Sequence, residues 1–487
     1  MTDRAADDFR LLIGGQWVEP GDGTYDIINP ATEQVVAAAP NASVADAEAA
    51  CAAAADAFPA WSRTTPQERS ELLARVADIL DKKREELIPL VQAETGATLR
   101  VTKQLQVPQA AVRFRRYAQI EPDEIPLSPS VMAATPLAPG GIIGAVQRRV
   151  PVGVVSCIAS YNFPLTNMAG KVAPALAMGN TVVIKPAWQD PLGVIRMCEA
   201  FEEAGFPPGV VNLVNSNQIP PSEAVVSSDH VDMVSFTGST AVGTRIAEVA
   251  GSGMKRTLLE LGGKGAAIVF DDADLKAAVA GIASVWGFHS GQICTSPTRV
   301  IAQRGIHDQL IESLGQAAGF LKVGDPLEPD TVVGPVITDA HRQRVEGYVS
   351  GAIDQGAEAV AGGRRPEVPT GFYVAPTLLA GCTPDMTAVR EEIFGPVVAV
   401  VPFDDEAEGI ALANDSQYGL NSYVYSGDSG RAMGVARLLR TGSVAINTVQ
   451  QHQDAAFGGF KKSGVGRDRG SWGLHAYSEL QSITWQG

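Results

Sequence analysis

The sequence predicts an α/β fold built on doubly wound parallel sheets. From about residue 150 onward, short apolar segments alternate with helical ones, and PVGVVSCIA, TVVIK, VVNLV, VDMVSF and TLLEL are the predicted strands. The second half continues in the same way with GAAIVF, RVIAQ, VVAVVPF, SYVYS and SVAIN. Strands that alternate with helices imply a parallel sheet covered by helices on both faces. The length of 487 residues allows roughly three structural units.

The N-terminal part of the sequence predicts one strand followed by two helices. LLIGGQWV is predicted to be a short strand that ends in a turn. Ser43 and Asp46 fit a capping pattern ahead of an alanine-rich helix, which Pro59 is expected to end. Thr65 and Glu68 fit the same pattern at the start of a second helix, whose apolar residues share one face.

Charge and composition exclude several classes of protein. The formal net charge of −16 argues against binding to nucleic acid or to an anionic membrane, because both require a basic surface. The five cysteines form no CxxC pair and no two histidines have metal-ligand spacing, so we expect reduced thiols and no metal site. No segment resembles a signal peptide or reaches the length of a membrane span. We therefore expect a cytoplasmic protein that acts on a small molecule.

Ligands of doubly wound sheets bind beyond the carboxyl ends of the strands, so we searched there for chemistry. Four features stand out: Asn162 in SYNFP, TGSTAVG with Gly238, Ser239 and Gly243, Glu260 in ELGGKG, and Cys294 in GQICTSPTR. An asparagine amide can donate to a developing oxyanion, and backbone N–H groups at a helix start can bind a pyrophosphate. A carboxyl group and a thiol can act as general base and nucleophile.

Each of these features also has a purely structural interpretation. TGSTAVG lacks the GxGxxG spacing and is equally consistent with a simple turn. An asparagine in a turn, a glutamate before two glycines and a buried cysteine are all common without a catalytic role. Cys157 and Cys198 lie inside a predicted strand and a predicted helix and are interpreted as core residues, and His289 is interpreted as structural. It is the combination of thiol, acid and amide that indicates covalent carbonyl chemistry.

The sequence as a whole resembles the aldehyde dehydrogenase superfamily. The motifs IGGQWV, NPAT, RRVPVGVV, YNFP, PALAMGNTVVIKP, FTGSTAVG, LELGGK, GQICTSPTR, EEIFGPV, NDSQYGL and FGGFKKSGVGRD occur in the order in which the family has them. The resemblance implies an aldehyde-dehydrogenase-like fold of two doubly wound α/β domains and a small β ribbon for oligomerisation. It places a cofactor-binding domain at residues 1–126 and 150–260, a catalytic domain at 261–465 and oligomerisation segments at 127–149 and 466–487. It also implies a homodimer or homotetramer.

The resemblance further implies a reaction in which an aldehyde is oxidised to a carboxylic acid with NAD(P)+. Cys294 matches the nucleophile that forms a thiohemiacetal and then a thioester. Asn162 and the backbone N–H of Cys294 match the oxyanion donors, and Glu260 matches the base that activates the hydrolytic water. Lys171 and Asp468 match positions implicated in proton traffic.

The implied cofactor contacts are spread over several motifs. Lys185 and Glu392 match positions that hold the two ribose units, and Phe394 matches the residue beside the nicotinamide ribose. The other implied contacts are Ser160, Tyr161, Gly238, Ser239, Gly243 and Leu261. NAD-dependent members commonly have a ribose-binding glutamate where this sequence has Trp188, so NAD is expected and NADP is left open.

Two alternative functions are weighed against this one. CoA-acylating semialdehyde dehydrogenases usually lack the glutamate found here at Glu260, and a non-catalytic binding member would be expected to lose Asn162, Glu260 or Cys294. All three residues are present. The stretches APGGIIGAVQRRVPVGVV and FHSGQICTSPTR are similar to members that act on aromatic or medium-chain aldehydes, which makes these the expected substrates.

Overall fold

The computed structural model of this protein describes residues 8–120 and 122–486. In this part of the chain the strands form sheets of eight, seven, three and two strands. The two large sheets are mostly parallel, and helices connect their strands. The predicted α/β class with doubly wound sheets is therefore confirmed.

The strands are, in chain order, β1 (Leu11–Ile13), β2 (Gln16–Val18), β3 (Thr24–Ile28), β4 (Val35–Pro40), β5 (Glu124–Met132), β6 (Gly141–Pro151), β7 (Val154–Ile158), β8 (Thr181–Lys185), β9 (Val211–Leu213), β10 (Met233–Thr237), β11 (Arg256–Glu260), β12 (Ala266–Val269), β13 (Arg299–Gln303), β14 (Glu358–Ala361), β15 (Thr377–Ala380), β16 (Val397–Phe403), β17 (Asn421–Tyr425), β18 (Ser443–Ile446), β19 (Gly464–Val465) and β20 (Ser478–Gln486).

The α-helices are α1 (Val44–Trp61), α2 (Pro66–Lys82), α3 (Arg84–Thr95), α4 (Leu99–Val101), α5 (Val107–Tyr117), α6 (Pro164–Met178), α7 (Leu192–Ala204), α8 (Ile219–Ser227), α9 (Thr240–Ser252), α10 (Leu275–Trp286), α11 (Arg304–Ala318), α12 (Asp339–Asp354), α13 (Thr387–Arg390), α14 (Glu406–Asn414), α15 (Ser429–Leu438) and α16 (Gly470–Ala476). A π-helical turn (Thr102–Gln106) joins α4 to α5, and short 3₁₀ helices occur at Phe288–Gly291 and Lys461–Ser463.

The eight-stranded sheet is wound in two directions from β7. Its order is β19-β11-β10-β7-β8-β9-β1-β2, and β7 to β11 are parallel. The chain passes through β8 and β9 on one side of β7 and then returns to add β10 and β11 on the other. Such a reversal opens a crevice at the carboxyl ends of the strands. Every residue of β7 and β8 is buried, which explains why these strands are continuous apolar runs.

The seven-stranded sheet follows the same plan around β12. Its order is β14-β15-β16-β13-β12-β17-β18, and all neighbours are parallel except β14 and β15. Only five residues separate the end of β11 at Glu260 from the start of β12 at Ala266. The carboxyl edge of the first large sheet is therefore joined directly to the amino edge of the second.

A three-stranded ribbon is formed by β5, β6 and β20. β20 pairs antiparallel with β6 from Ser478 opposite Pro151 to Gln486 opposite Ile143. All nine residues of β5 are exposed. Large apolar side chains of the ribbon are exposed as well, including Val131 at 85% and Trp485 at 52%. The ribbon thus presents apolar surface that this chain itself does not cover.

The N-terminal segment LLIGGQWV differs from its prediction. It forms the hairpin of β1 and β2 rather than one strand, with Leu11 paired to Val18. Gly14 and Gly15 make the two-residue turn at φ 60° and 80°, a conformation that glycine adopts without strain. The two consecutive glycines were the signal for a hairpin.

The predicted N-terminal caps of the helices agree with the structure better than the predicted end of α1 does. Both predicted capping boxes are present, at Ser43 and at Thr65. The prediction that Pro59 ends α1 is wrong, because the helix continues to Trp61. A proline this close to the end removes one backbone hydrogen bond of the last turn, which leaves the remainder of the helix intact.

Three further observations concern the cysteines, the possible metal ligands and the helices of the described residues. All five cysteines are unpaired, and Cys157 and Cys198 are buried in the core as predicted. No group of three His, Cys, Asp or Glu side chains within residues 8–120 and 122–486 is placed to hold a metal ion. No helix in these residues is long and apolar enough to cross a lipid bilayer.

Candidate active site

One cavity of about 450 Å³ is lined by residues from both large sheets. Its walls come from the segments that follow β7, β10 and β11 and from the loop that enters β13. Of the predicted catalytic and cofactor-binding residues, it is lined by Ser160, Tyr161, Asn162, Gly238, Ser239, Glu260, Leu261, Cys294, Glu392 and Phe394. Lys185 and Gly243 do not line it. The cavity lies in the crevice at which a doubly wound sheet binds its ligands.

Cys294 reaches this cavity from the amino end of β13, not from the carboxyl end of a strand as the sequence analysis expected. The reason is the direct connection between β11 and β12. Ala266 at the start of β12 pairs with Arg299 at the start of β13, so the loop before β13 lies beside the end of β11. The carboxyl edge of one sheet and the amino edge of the other thus share one site.

The loop that carries Cys294 is held from two sides. A Cβ added to Gly263 would lie 2.3 Å from the Cys294 carbonyl oxygen, so only glycine permits this close approach. On the other side, Tyr423 Oη donates to the Thr295 carbonyl oxygen over 2.6 Å. The position of the thiol therefore depends on the turn between β11 and β12 and on β17.

The Cys294 thiol is protonated in this environment. Burial raises its pKa to about 12, and the nearby carboxyl groups of Glu392 and Glu260 add to the effect. Within the described residues, the backbone N–H of Cys294 has no backbone acceptor. That N–H group is therefore available to an oxygen atom bound next to the sulfur.

The Asn162 amide is buried and fixed at both ends. Its Oδ1 accepts hydrogen bonds from Ser160 Oγ at 2.8 Å and from Asn167 Nδ2 at 3.2 Å. Its Nδ2 donates to the Gln292 carbonyl oxygen at 2.9 Å. Because an amide nitrogen has two hydrogens, one remains to donate into the cavity. The two donors on Oδ1 determine which end of the amide faces Cys294.

Gln292 anchors the same loop from inside the protein. Its side chain is fully buried, with Oε1 accepting from Ile337 N at 3.0 Å and Nε2 donating to the His289 carbonyl oxygen at 3.3 Å. The His289 ring packs 5.2 Å from Phe163, and burial lowers its pKa to about 4. His289 is therefore neutral at physiological pH, in line with a structural role.

Glu260, the last residue of β11, is a buried acid without a hydrogen-bond partner. It is 4% exposed, and neither carboxyl oxygen forms a hydrogen bond within the described residues. Burial raises its pKa well above the usual range, and the negative charge of Asp468 raises it further. A Cβ on Gly458 would lie 2.8 Å from Glu260 Oε1, so this glycine leaves room for the carboxyl group.

A buried polar network lies next to Glu260. Lys171 Nζ donates to Ser235 Oγ at 3.3 Å, which is 2.8 Å from Tyr477 Oη. Burial lowers the pKa of Lys171, whereas the charges of Asp468 and Glu260 raise it. The structure thus groups Lys171 and Asp468 with the candidate base, and their part in proton traffic stays a prediction.

The amino end of α9 forms another part of the cavity wall. The Ser239 side chain caps α9 by accepting from Val242 N at 3.3 Å. A Cβ on Gly243 would lie 2.3 Å from Leu261 Cδ2. Gly243 therefore acts through packing, since it lets α9 approach Leu261 in the cavity wall. The free N–H groups of a helix start favour an anionic group at this point.

Glu392 also lines the cavity. Its Oε1 accepts from Gly263 N at 2.9 Å, and a Cβ on Gly262 would lie 2.2 Å from its Oε2. Burial raises the pKa of Glu392, which the Gly263 N–H group and the positive charge of Arg344 partly offset. The glycine pair after β11 thus makes space for both Glu392 and the Cys294 loop.

Three rings form an aromatic corner of the cavity. Phe394 packs edge-on against Tyr161 with ring centroids 5.8 Å apart. The His341 ring lies 6.2 Å from Phe394, and its Nε2–H donates to the Phe394 carbonyl oxygen at 2.7 Å. Phe394 has a φ of 59°, which is unusual for a non-glycine residue. The His341 hydrogen bond helps to hold this backbone.

Lys185, the last residue of β8, and Trp188, which follows it, lie outside the cavity lining. Lys185 Nζ donates to the carbonyl oxygens of Pro186 and Ser216 at 3.0 and 3.2 Å, and burial lowers its pKa to about 8. Trp188 is 45% exposed, and its carbonyl oxygen accepts from Tyr25 Oη. No carboxylate stands at position 188 to bind or repel a ribose substituent.

Comparison with known proteins assigns the family. Residues 17–483 match the model of the aldehyde dehydrogenase family. The chain belongs to the aldehyde dehydrogenase family. The family prediction and the prediction of an enzyme of this class are thereby confirmed.

Named aldehyde dehydrogenases match over nearly the full length. The betaine aldehyde dehydrogenase of Bacillus subtilis (strain 168) is 38% identical over 483 residues, covering 97% of this chain and 96% of its own. The 3-succinoylsemialdehyde-pyridine dehydrogenase of a Pseudomonas species is 37% identical over 481 residues, covering 98% of each chain. An aldehyde dehydrogenase from Bacillus cereus, solved as an NAD+ complex, superposes with a TM-score of 0.91 at 36% identity, covering 98% of this chain and 96% of that one.

Several residues of this aldehyde dehydrogenase that line the cavity were absent from the sequence analysis. They are Arg113, Thr166, Asn167, Gln189, Thr338, His341, Arg344 and Arg469. Asn167 lies five residues after Asn162, a spacing with no signal of its own. Arg113 belongs to the run RFRR, in which nothing in the sequence separates the arginine that faces the cavity from its neighbours.

Proposed function

We propose that this aldehyde dehydrogenase oxidises a small aldehyde to the carboxylic acid with NAD+, through a covalent thioester on Cys294. The observation that carries the proposal is one cavity lined by Cys294, Asn162 and Glu260. These residues supply a nucleophile, an oxyanion donor and a base, the three parts that acyl chemistry requires. No other cavity described in this structure combines them.

The first half of the reaction depends on Cys294 and Asn162. After the Cys294 thiol has released its proton to water, the thiolate sulfur forms a C–S bond to the aldehyde carbon, and the carbonyl π electrons move to the oxygen. The free hydrogen of Asn162 Nδ2 and the backbone N–H of Cys294 donate to this oxyanion. Loss of the aldehydic hydrogen as hydride then leaves a thioester.

The second half of the reaction depends on Glu260. In its ionised form Glu260 takes a proton from a water molecule, whose oxygen attacks the thioester carbon. The C–S bond breaks, the acid leaves and the Cys294 thiolate is restored. A carboxyl group with a raised pKa is a stronger base once ionised, which suits this role.

The residues around the cavity fit a dinucleotide. The capped start of α9 can receive a pyrophosphate, and the Glu392 carboxylate stands over a glycine pair that leaves it space. Ser239, Glu392 and Phe394 would hold the cofactor, with Lys185 at the edge of the site. When bound, NAD+ accepts the hydride. The solved Bacillus cereus relative supports NAD+ as the cofactor.

The test is turnover of an aldehyde panel with each cofactor. We expect formation of reduced cofactor and of the free acid with aliphatic or aromatic aldehydes, without added coenzyme A. A requirement for coenzyme A with acyl-CoA as product would favour the CoA-acylating alternative. Cofactor binding without turnover of any aldehyde would favour a non-catalytic role. The aromatic or medium-chain preference stays a prediction of the sequence.

The Asn162 amide provides a quantitative prediction. Asn162→Ala is expected to lower kcat by roughly 10²- to 10³-fold, because it removes one oxyanion donor. Ser160→Ala keeps the donor but frees one contact of Oδ1, so we expect a smaller loss. Steady-state kinetics on both variants measure the difference. An Asn162→Ala enzyme with unchanged kcat would contradict the oxyanion role.

Position 188 provides a prediction about the cofactor. Trp188→Glu is expected to lower kcat/KM for NADP+ by roughly 10-fold relative to NAD+, because the carboxylate repels a 2′-phosphate and accepts from a 2′-hydroxyl. Trp188→Gln, which lacks the charge, is the matched control. Equal ratios in both variants would show that the adenosine ribose does not approach this position.

We further propose an oligomer, a compartment and a domain organisation. The exposed apolar side chains on β5 and β20 support the use of the ribbon in a homodimer or homotetramer. Five unpaired cysteines support a reducing compartment such as the cytoplasm. The domains proposed are residues 1–126 with 150–260 for the cofactor and 261–465 for catalysis, although β19 pairs with β11 in the first sheet.

A further inference from the structure

Two arginines line the same cavity as Cys294 and are not used by the proposed reaction. Arg113 lies on α5, and Arg469 immediately precedes α16. Arginine is the side chain best suited to bind a carboxylate, since its planar guanidinium matches both oxygens. The two arginines in this cavity are therefore suited to bind an anionic group of a ligand.

Arg113 differs from the neighbouring arginines of its helix. Arg115 forms ion pairs with Asp78 and Asp81, at 3.0 and 2.8 Å, and Arg116 pairs with Asp454. Within the described residues, the Arg113 side chain has no hydrogen bond and no ion pair. It is the arginine of the three that faces the cavity. A half-buried arginine whose side chain has no protein partner can offer both sides of its guanidinium to an anionic ligand.

Arg469 also lacks a carboxylate partner among the described residues. Its Nη1 donates to Gln451 Oε1 at 3.1 Å, and its guanidinium lies 4.2 Å from the centre of the Phe457 ring. Burial lowers the pKa of Arg469, and repulsion from Arg113 lowers it further. The ring and the amide hold Arg469 in place while leaving its charge unneutralised.

Two acids lie near these arginines but do not neutralise them. Asp468 lines the cavity and accepts from the backbone N–H of Arg469 at 2.6 Å, yet no ion pair with the Arg469 side chain forms. A Cβ on Gly170 would lie 3.7 Å from Asp468 Oδ2, so the carboxylate is turned toward α6 and its Lys171. Burial raises the pKa of Glu260, which disfavours its charged form. The arginine side of the cavity is left with positive charge.

We propose that Arg113 and Arg469 form a carboxylate-binding subsite, so that the preferred substrate is an aldehyde that carries a second, anionic carboxylate group. The proposal rests on the proposed function and specifies its substrate class. It revises the expected preference for neutral aromatic or medium-chain aldehydes. It also predicts that cationic aldehydes are poor substrates, because they would meet two guanidinium groups.

The test compares matched aldehydes on wild type and variants. Wild type is expected to have a kcat/KM for 4-oxobutanoate roughly 10- to 100-fold above that for butanal, the range that a charged hydrogen bond contributes. The same order is expected for 4-formylbenzoate over benzaldehyde, with betaine aldehyde lowest. Arg113→Met should lower kcat/KM for 4-oxobutanoate far more than for butanal. Arg115→Met, on the same helix with its own ion pairs, should leave both values unchanged.

The second arginine needs a more conservative change. Arg469 also lowers the pKa of Cys294 and Glu260, so its removal would affect every aldehyde. Arg469→Lys keeps the charge but loses the planar pair of donors, and we expect a loss confined mainly to carboxylated aldehydes. A wild type that prefers the neutral aldehyde of each pair, or an Arg113→Met enzyme whose two kcat/KM values fall equally, would overturn the subsite. Absence of turnover with every aldehyde would instead overturn the proposed function.

Discussion

Replacement of Cys294 by alanine is expected to reduce aldehyde oxidation by about 10⁴-fold or more, the scale on which loss of a covalent nucleophile acts. Among the described residues, Cys294 is the cysteine that lines the cavity, whereas the other four are buried elsewhere. No second thiol could take its place. The measurement is the rate of cofactor reduction at saturating aldehyde.

The control for this variant is Cys382→Ala. Cys382 is buried in the core of the seven-stranded sheet, so its replacement changes packing without touching the cavity. This variant should retain turnover, and Cys294→Ala should retain cofactor binding and its far-ultraviolet circular dichroism. An active Cys294→Ala enzyme would exclude the covalent mechanism.

Replacement of Glu260 by glutamine is expected to stop the reaction after one turnover. The glutamine keeps the size of the side chain but cannot accept a proton, so the thioester forms and hydrolyses slowly. Reduced cofactor should appear in a burst of about one equivalent per site, followed by a steady rate roughly 10²- to 10⁴-fold below that of wild type. Mass spectrometry should find the acyl group on Cys294.

Two further measurements separate this role from a structural one. Hydroxylamine, which cleaves thioesters without a base, should restore the steady rate of Glu260→Gln. In wild type, hydrolysis should rise with pH, because the raised pKa of Glu260 keeps it protonated and inactive as a base until higher pH. The variant should lose this dependence. If no burst appeared, Glu260 would not be the base that activates the water for thioester hydrolysis.

The fold was predictable from the sequence because its signals are local. The apolar runs of β7 and β8 and the capping boxes at Ser43 and Thr65 each depend on a few adjacent residues. The hairpin at Gly14 and Gly15 was missed although its turn residues were visible. The end of α1 was misplaced because a proline in the last turn costs too little to end a helix early.

The site was predictable only where resemblance or strand ends pointed to it. Asn162 follows β7 and Glu260 ends β11 of the same sheet, so their meeting followed from parallel topology. Cys294 lies at the start of a strand in another sheet, and its proximity depends on how β11 continues into β12. Arg113 and Arg469 are separated by hundreds of residues, and nothing local to either indicates that they share a cavity.

The protonated resting state of Cys294 bears on how the enzyme withstands oxidants. Peroxide attacks the thiolate and converts it first to a sulfenic acid and then to irreversible products. With its pKa raised to about 12, the resting thiol offers almost no thiolate at neutral pH. Damage should therefore concentrate in enzyme that is turning over, when the thiolate is generated, and idle enzyme should survive oxidative stress and storage better than working enzyme.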